Sequence, residues 1–376
     1  MTREERRTGP VVVYGATGYT GRLVAEELLA RGERVVLSGR SAERLDALAE
    51  RLGEGVEDVV PAALDDAAAL RDAAGRGPVL ANCAGPFART GDAVLAAATA
   101  AGAHYLDTTG EQHWMRRVFD HHDGALRAAG VAAIPGMGFD YVPGDLLCHL
   151  VGRELQPLRR VTVAYDTQDF GMTRGTMRSA LEMMDGRDVV YEGGRWRTGG
   201  ARPVREHARF PAPLGRRLVA RYPAGEILTV PRHLQVREVV ARLTAVSIAP
   251  RVVAPVLPAA TPVLSRLLRG RLKGALDAAI GRLPEGPPEG ERRAVRWTIV
   301  AIAEGEGGQR AAGVVTGPDI YGLTAHTIAE GAQRLAAPTF TGVGALGPAG
   351  AFDAAELLDA LAPFGVQWRR DDALAA

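Results

Sequence analysis

Cysteine is nearly absent: Cys83 and Cys148 are the only two among 376 residues. Neither has a partner at metal-ligand spacing, which argues against a disulfide framework and a cysteine-based metal site, so no metal is expected. A reducing, cytoplasmic setting is the matching expectation. Net charge is also scarce, since 45 Lys and Arg against 44 Asp and Glu leave a formal +1. Nucleic-acid binding needs a concentrated basic surface, and that balance does not suggest one. No run reaches the roughly 18 consecutive apolar residues of a spanning helix. Met1–Gly9 is charged and lacks the apolar core of a signal peptide, so residues 1–9 are expected to be a disordered tail. What remains is an ordinary globular composition, 47% hydrophobic and 24% charged, in a chain long enough for two domains.

The most informative stretch is Val11-Val12-Val13-Tyr14 followed by glycines at 15, 18 and 21. A β-branched run enters a glycine turn, and an Ala/Leu/Glu-rich helical pattern opens from it. That order lets backbone N–H groups approach a pyrophosphate at a helix N-terminus, with Thr17, Tyr19 and Thr20 in the same loop. An ordinary strand–turn–helix is the alternative. Further strands are expected at Arg34–Ser38, Val56–Pro61, Val79–Cys83, His104–Asp107 and Val131–Pro135. Helices are expected over Thr20–Arg31, Ala42–Leu52, Gly91–Ala101 and Trp114–Ala129. Alternation of this kind predicts an α/β domain, a Rossmann-type doubly wound parallel sheet, over residues 10–136.

Beyond it, strands at Arg159–Tyr165, Leu218–Tyr222, Ile227–Val230 and Val236–Ile248 have few helices between them. A helix over Thr173–Met184 and a hairpin joining Arg296–Ala303 to Ala311–Thr316 complete the pattern. These predict a second, α+β domain of mainly antiparallel strands over 137–318. A C-terminal helical return over 319–376, with helices at Tyr321–Leu335 and Ala354–Phe364, is expected to pack back on the first domain.

The end of the second strand distinguishes the nicotinamide cofactors. An NAD site tends to place a carboxylate about 20 residues beyond the glycine motif, on the ribose hydroxyls. Here the zone reads Leu37-Ser38-Gly39-Arg40-Ser41. Arg40 can pair with a 2′-phosphate and the Ser38 and Ser41 hydroxyls can donate beside it, which predicts NADP(H). After the fourth strand, Asn82-Cys83-Ala84-Gly85-Pro86-Phe87 suits close backbone approach to the cofactor. Cys83 has no local histidine to make it a nucleophile. Asp107 and Glu111 are candidates either for acid–base work or for helix capping. In the stretch from Pro135 to Asp145, Phe139 is expected to pack near the nicotinamide. Asp140 and Tyr141 are the candidate catalytic pair, and Asp145 is expected to cap the helix that follows. In the second domain Arg174 and Thr176 form a candidate anion or substrate site, with Arg178 one turn on. Residues 250–283 are apolar and basic; they read either as a membrane-surface segment or as core or lid helices with snorkelling arginines.

The set GATGYTG (15–21), SGR (38–40), NCAGPF (82–87), YLDTTGE (105–111) and GFDYVPGD (138–145) resembles the saccharopine dehydrogenase-like oxidoreductases. The resemblance is close up to about Leu150 and returns at Tyr321–Ala325 and Gly342–Gly365. It implies a Rossmann domain, a second α+β domain and a pyridine-nucleotide oxidoreductase. By position it carries Gly15, Gly18, Gly21, Arg40, Asn82, Gly85, Pro86 and Phe139 over as cofactor-loop residues. The family includes amino-acid C–N dehydrogenases and bacterial trans-acting enoyl reductases that work on carrier-bound chains. With the apolar 250–283 segment, the expected activity is NADPH-dependent reduction of a C=C bond in a lipophilic or carrier-bound acyl substrate. An amino-acid C–N dehydrogenase and a non-catalytic NADP-binding sensor or scaffold are the alternatives. Lipid contact through 250–283 and a homodimer stay open as further partners.

Overall fold

The computed structural model describes residues 9–168, 170–185, 188–199, 206–248 and 271–375. Strand β1 is Val11–Tyr14, followed by helix Tyr19–Ala30, β2 (Val35–Gly39), helix Ala42–Leu52 and β3 (Val56–Pro61). Helix Ala67–Ala74 leads to β4 (Val79–Asn82), helix Phe87–Ala101, β5 (His104–Asp107), a helical run from Gln112 to Ala129, and β6 (Ala132–Ile134). Val11, Val12 and Val13 are at most 2% exposed. A run apolar on both faces is what the middle of a parallel sheet covered by helices demands. The second part contains β7 (Leu158–Gln168), β8 (Val189–Glu192), β9 (Arg195–Thr198), β10 (Glu206–Arg209), β11 (Arg216–Arg221), β12 (Glu238–Thr244), β13 (Arg296–Gly305) and β14 (Arg310–Pro318). Helix Ile320–Ala336, β15 (Gly344–Ala345), helix Ala354–Ala360 and β16 (Gln367–Arg370) finish the chain.

The chain divides into two compact units: residues up to Phe139 with Tyr321–Leu346, and Asp140–Ile320 with Gly347–Ala376. The stretch 319–376 is therefore shared between the units rather than returning as one piece, because the part from Gly347 groups with the second. The first unit is a seven-stranded sheet in the order β15-β6-β5-β4-β1-β2-β3, every pair parallel. The strand order reverses between β1 and β4, and ligands of such sheets bind at the carboxyl ends beside that reversal. The second unit's sheet runs β10-β11-β12-β7-β13-β14-β16, antiparallel except between β12 and β7. Helix Val142–Gly152 lies close on it: a Cβ at Gly313 of β14 would fall 2.9 Å from Val151 and 3.0 Å from Leu147.

Several elements differ from their sequence expectation. Ile227–Val230 is no strand but part of helix Glu226–His233, with Gly225 before it and Glu226 in its first turn. A short buried apolar run looks the same to periodicity in either state. Val236–Ile248 ends as helix at Ala245–Ile248. The helix expected from Gly91 starts at Phe87, and the helix over Ala67–Ala74 and strands β8, β9, β10, β15 and β16 carry no strong pattern. Of the basic segment 250–283, residues 250–270 lie outside the described residues, while Arg271–Ile280 is helical. No helix among the described residues is long and apolar enough to cross a membrane.

Candidate functional site

In the first unit, Tyr14, Ser38, Asn82 and Asp107 lie side by side as the row that ends β1, β2, β4 and β5. The glycine loop leaves the sheet from this row. Gly15 has φ +77°, and a Cβ there would sit 2.8 Å from the Ala84 Cβ, so the loops after β1 and β4 meet only because no side chain intervenes. A Cβ at Gly21 would fall 2.3 Å from the Gly15 carbonyl oxygen; glycine lets the helix close on its own loop. Gly18 is the N-cap residue of helix Tyr19–Ala30, which has no side-chain cap and no acid in its first turn. Thr17, Tyr19 and Thr20 are partly exposed around it. Tyr19 packs edge-on against Tyr321 at 5.3 Å. The Thr17 carbonyl accepts from Arg22 (3.3 Å) and Arg44 (3.2 Å), which brings two guanidinium groups against the loop. A cradle without side chains at an uncapped, positively flanked helix start fits a dinucleotide pyrophosphate.

At the end of β2, Arg40 is exposed and makes no ion pair with a carboxylate among the described residues. Its charge acts on the Tyr14 phenol, whose ionisation burial pushes up and Arg40 pulls back. Ser41 caps helix Ala42–Leu52 by accepting from the Arg44 N–H. Ser38 differs from expectation: it is fully buried and its hydroxyl donates to the Val60 carbonyl at 2.8 Å, inside the sheet. Arg44, one turn beyond Arg40, is a basic residue that the strand-end motif does not include. Its signal in the sequence is its spacing from Arg40.

The loops after β4, β5 and β6 converge on Asp107, which is completely buried. It accepts from the Tyr105 hydroxyl (2.9 Å), the Trp114 indole (2.7 Å) and the backbone N–H groups of Thr109 (3.1 Å) and Gly136 (2.8 Å). Burial pushes its carboxyl up to about 6, against these bonds. Asn82 shapes its own loop, accepting from Ala84 N–H and donating to the Tyr105 hydroxyl. Cys83 is a thiol pushed up to about 12 by burial and by Asp107, which removes it as a nucleophile at neutral pH. Gly85 and Pro86 lead into helix Phe87–Ala101, whose first N–H groups are held by Glu111. Phe139 is 5% exposed, and its N–H donates to Thr324 of helix Ile320–Ala336.

In the second unit Asp140 and Tyr141 open helix Val142–Gly152. Tyr141 is fully buried. Its hydroxyl donates to that of Tyr222, which donates in turn to the Asp140 carboxylate. Burial pushes Asp140 up to about 6. Tyr222 follows β11 and holds its place by donating its N–H to the Ala241 carbonyl. Behind it Tyr165 packs edge-on at 5.5 Å and donates to Glu226. Neither Tyr222 nor Glu226 has a local motif, so neither is visible in the sequence. A Cβ at Gly144 would meet both the Glu226 carboxyl and the Tyr165 hydroxyl at 2.1 Å, which gives the glycine of the VPGD motif its reason.

Asp145 does not cap its helix. It lies inside the first turn and accepts from Thr229, His233 and the Ala349 N–H. Arg174 opens helix Arg174–Asp185 but pairs with Glu285 at 3.0 Å and donates to the Gly281 carbonyl. The Thr176 hydroxyl is bonded to Thr173. The expected anion site is therefore neutralised by the chain's own carboxylate. Among the described residues no group of three or more His, Cys, Asp or Glu could hold a metal ion.

Residues 11–134 match the family model of the saccharopine dehydrogenase NADP-binding domain. A trans-acting enoyl reductase of Mycobacterium leprae is 37% identical over 146 residues, 38% of this chain and 35% of the relative. One from Mycobacterium ulcerans is 35% identical over 148 residues, again 38% and 35%. The chain spans less than half the length of the curated relatives it matches. Among solved structures, apo saccharopine dehydrogenase (L-glutamate forming) from Saccharomyces cerevisiae aligns with TM-score 0.60 and 11% identity, covering 96% of this chain and 100% of that one. Residues 11–134 thus match the saccharopine dehydrogenase NADP-binding domain, in a chain whose fold resembles that of a saccharopine dehydrogenase.

Proposed function

We propose that the chain is an NADPH-dependent oxidoreductase that reduces the C=C bond of a lipophilic or carrier-bound acyl substrate. The observation that carries the cofactor half is the pairing of an uncapped glycine-loop helix with an exposed Arg40 and no carboxylate at the end of β2. Bound NADPH supplies a hydride; the protein supplies position and a proton. Gly15, Gly18 and Gly21 would admit the pyrophosphate, and Arg40, Ser41 and Arg44 would hold the 2′-phosphate. When hydride adds to the β-carbon of an enoyl thioester, negative charge develops on the α-carbon and its carbonyl. Asp140 and Tyr141 belong to the hydrogen-bonded group from which the α-proton would come.

The substrate half draws on the name of the mycobacterial relatives and on a feature of the second unit. Arg174 and Arg178, which an amino-acid reading would use to clamp a carboxylate, are ion-paired with Glu285 and Asp277. An acyl thioester needs no such clamp. The test is NADPH consumption by the full chain with a panel of trans-2-enoyl thioesters, saccharopine, and glutamate or lysine with a carbonyl partner. Turnover confined to enoyl thioesters supports the reading. Turnover confined to the amino acids replaces it with the C–N dehydrogenase, and saturable NADPH binding without any turnover replaces it with a sensor.

A further inference from the structure

One fully buried carboxylate in the first unit joins three of the loops at the carboxyl edge of the sheet, and it does so without a cation. Asp107 ends β5, and among the described residues its side-chain partners are all neutral donors. Oδ1 takes the N–H groups of Thr109, in the loop after β5, and of Gly136, in the loop after β6. Oδ2 takes the Trp114 indole and the Tyr105 hydroxyl. That hydroxyl accepts in turn from the Asn82 amide at 3.1 Å, and the Asn82 oxygen takes the Ala84 N–H at 3.0 Å. Ala84 is the residue that lies against Gly15 of the glycine turn. A continuous chain of hydrogen bonds thus runs from the loop after β6, through Asp107 and Tyr105, to the residue beside Gly15. The titratable groups nearest to it are the Tyr105 phenol and the Cys83 thiol, both kept neutral by burial. Glu111, farther along the same loop, is taken up by the Phe87 and Ala88 N–H groups, and His122, edge-on to Trp114, pairs with Asp92.

We propose that Asp107 is a positioning residue for the nucleotide, its carboxylate holding the loops after β4 and β6 in the shape that admits NADP(H). The inference rests on the cofactor half of the reductase reading and does not depend on the substrate. Geometry makes the ionised form necessary. A proton on Oδ1 would face two backbone N–H groups, which can only donate. A proton on Oδ2 would have to turn to the Tyr105 oxygen, reversing that bond and leaving the phenol proton without its acceptor. Either way the link between the loops breaks. Burial pushes Asp107 up to about 6, which places that loss just below neutral pH.

The test is the Kd of NADP⁺, measured by calorimetry on the full chain from pH 7.5 down to pH 5. Asp107→Asn keeps the shape but offers N–H groups where Trp114 and Tyr105 donate. Its Kd should be about tenfold above wild type at pH 7.5, and the ratio should close towards one at pH 5, where the wild type has lost its carboxylate. Proton uptake by the 2′-phosphate, which also falls near pH 6, is common to both proteins and cancels in the ratio. Tyr105→Phe should fold even if Asp107→Asn does not. It cuts the chain towards Asn82 and should raise the Kd about fivefold at pH 7.5. A merely structural role would lower the Tm and leave the ratio of Kd values independent of pH; that pattern overturns the proposal. Kd values equal to wild type in the variants that fold also overturn it, while the cofactor reading stands. If the wild type binds no NADP⁺, the cofactor reading fails and the proposal with it.

Discussion

The Glu111 carboxylate lies 2.8 Å from the backbone nitrogen of Phe87 and closes the N-terminus of the helix that starts there. Its second oxygen takes the Ala88 N–H at the same distance. Glu111 is fully buried, so no water can replace it. The helix after β4 thus has its anion built in, while the helix after β1 has none. Glu111→Ala should leave the buried Phe87 N–H without its acceptor, while water can reach the N–H of the exposed Ala88, and cost about 1–2 kcal/mol. A lowered denaturant midpoint with an unchanged slope would report it; an unchanged midpoint would show that the cap is dispensable.

That contrast between two helix starts explains what the sequence could and could not reveal. The β1 loop was legible because its close backbone approach resides in missing side chains, and glycines at 15, 18 and 21 are visible as such. Arg40 stands out for a similar reason, since the absence of a carboxylate at a strand end is a local fact, and its pairing with a 2′-phosphate is the proposal. Ser38 was misread because its hydroxyl is spent on Val60, a partner chosen by strand pairing. Tyr222 reaches Asp140 only through the β11–β12 edge, and Arg174 meets Glu285 only through tertiary packing. Contacts across such sequence distances leave no periodic trace. The strands β9 and β10 escaped notice because they carry mostly exposed polar residues, where alternation has nothing apolar to mark it, and β8 because its apolar run, Val189–Tyr191, is only three residues long.

Arg40 and Arg44 set the expected nucleotide preference. A charge-assisted bond to phosphate contributes about 1.5–3 kcal/mol, which corresponds to roughly ten- to a hundredfold in affinity. Arg40→Asp should weaken NADPH binding by at least about that much and improve NADH binding, because the new carboxylate can accept from the ribose hydroxyls. Arg44→Ala should cost NADPH about tenfold and leave NADH unchanged. Fluorescence titration with both nucleotides checks this without turnover. Equal losses for NADPH and NADH would place the arginines elsewhere than at the 2′-phosphate.

Gly21 and Gly124 make a matched pair of helical glycines in the first unit. A methyl group at Gly21 would meet the Gly15 carbonyl oxygen at 2.3 Å and the Ala16 Cα at 2.9 Å, both backbone atoms. A methyl group at Gly124 would meet nothing within 4 Å among the described residues beyond its own helix backbone and chain neighbours. Gly21→Ala should therefore lower the Tm by several degrees and abolish NADPH binding. Gly124→Ala should leave binding intact and raise stability by up to about 1 kcal/mol, the helix-propensity gain. If both variants bound NADPH normally, the close approach of helix and loop would not be needed for the cofactor.

Asp145 supplies the acid-sensitive contact of the second unit. Burial alone would raise its carboxyl, yet His233 at 2.9 Å together with Thr229 and the Ala349 N–H outweigh burial and lower it. A carboxylate depressed in the folded state stabilises the protein above its unfolded value of about 3.8. That contribution is lost as pH falls through the folded value. His149, 3.2 Å from His233, adds an earlier step. Burial and then the charge of His233 hold it below the ordinary histidine value, so the unfolded chain takes up its proton first and stability declines as pH drops below about 6.5. On acidification the His149 and then the Asp145 contributions are lost, while the Asp107 and Asp140 carboxyls, held up at about 6, add stability as they take up protons between about 6 and 3.8. Asp145→Asn should cost about 3 kcal/mol at neutral pH by stranding His233 and Thr229, and should remove the loss at lower pH. Denaturant titrations across the pH range decide it: an Asn variant that keeps the same acid limb would assign that limb to other carboxylates.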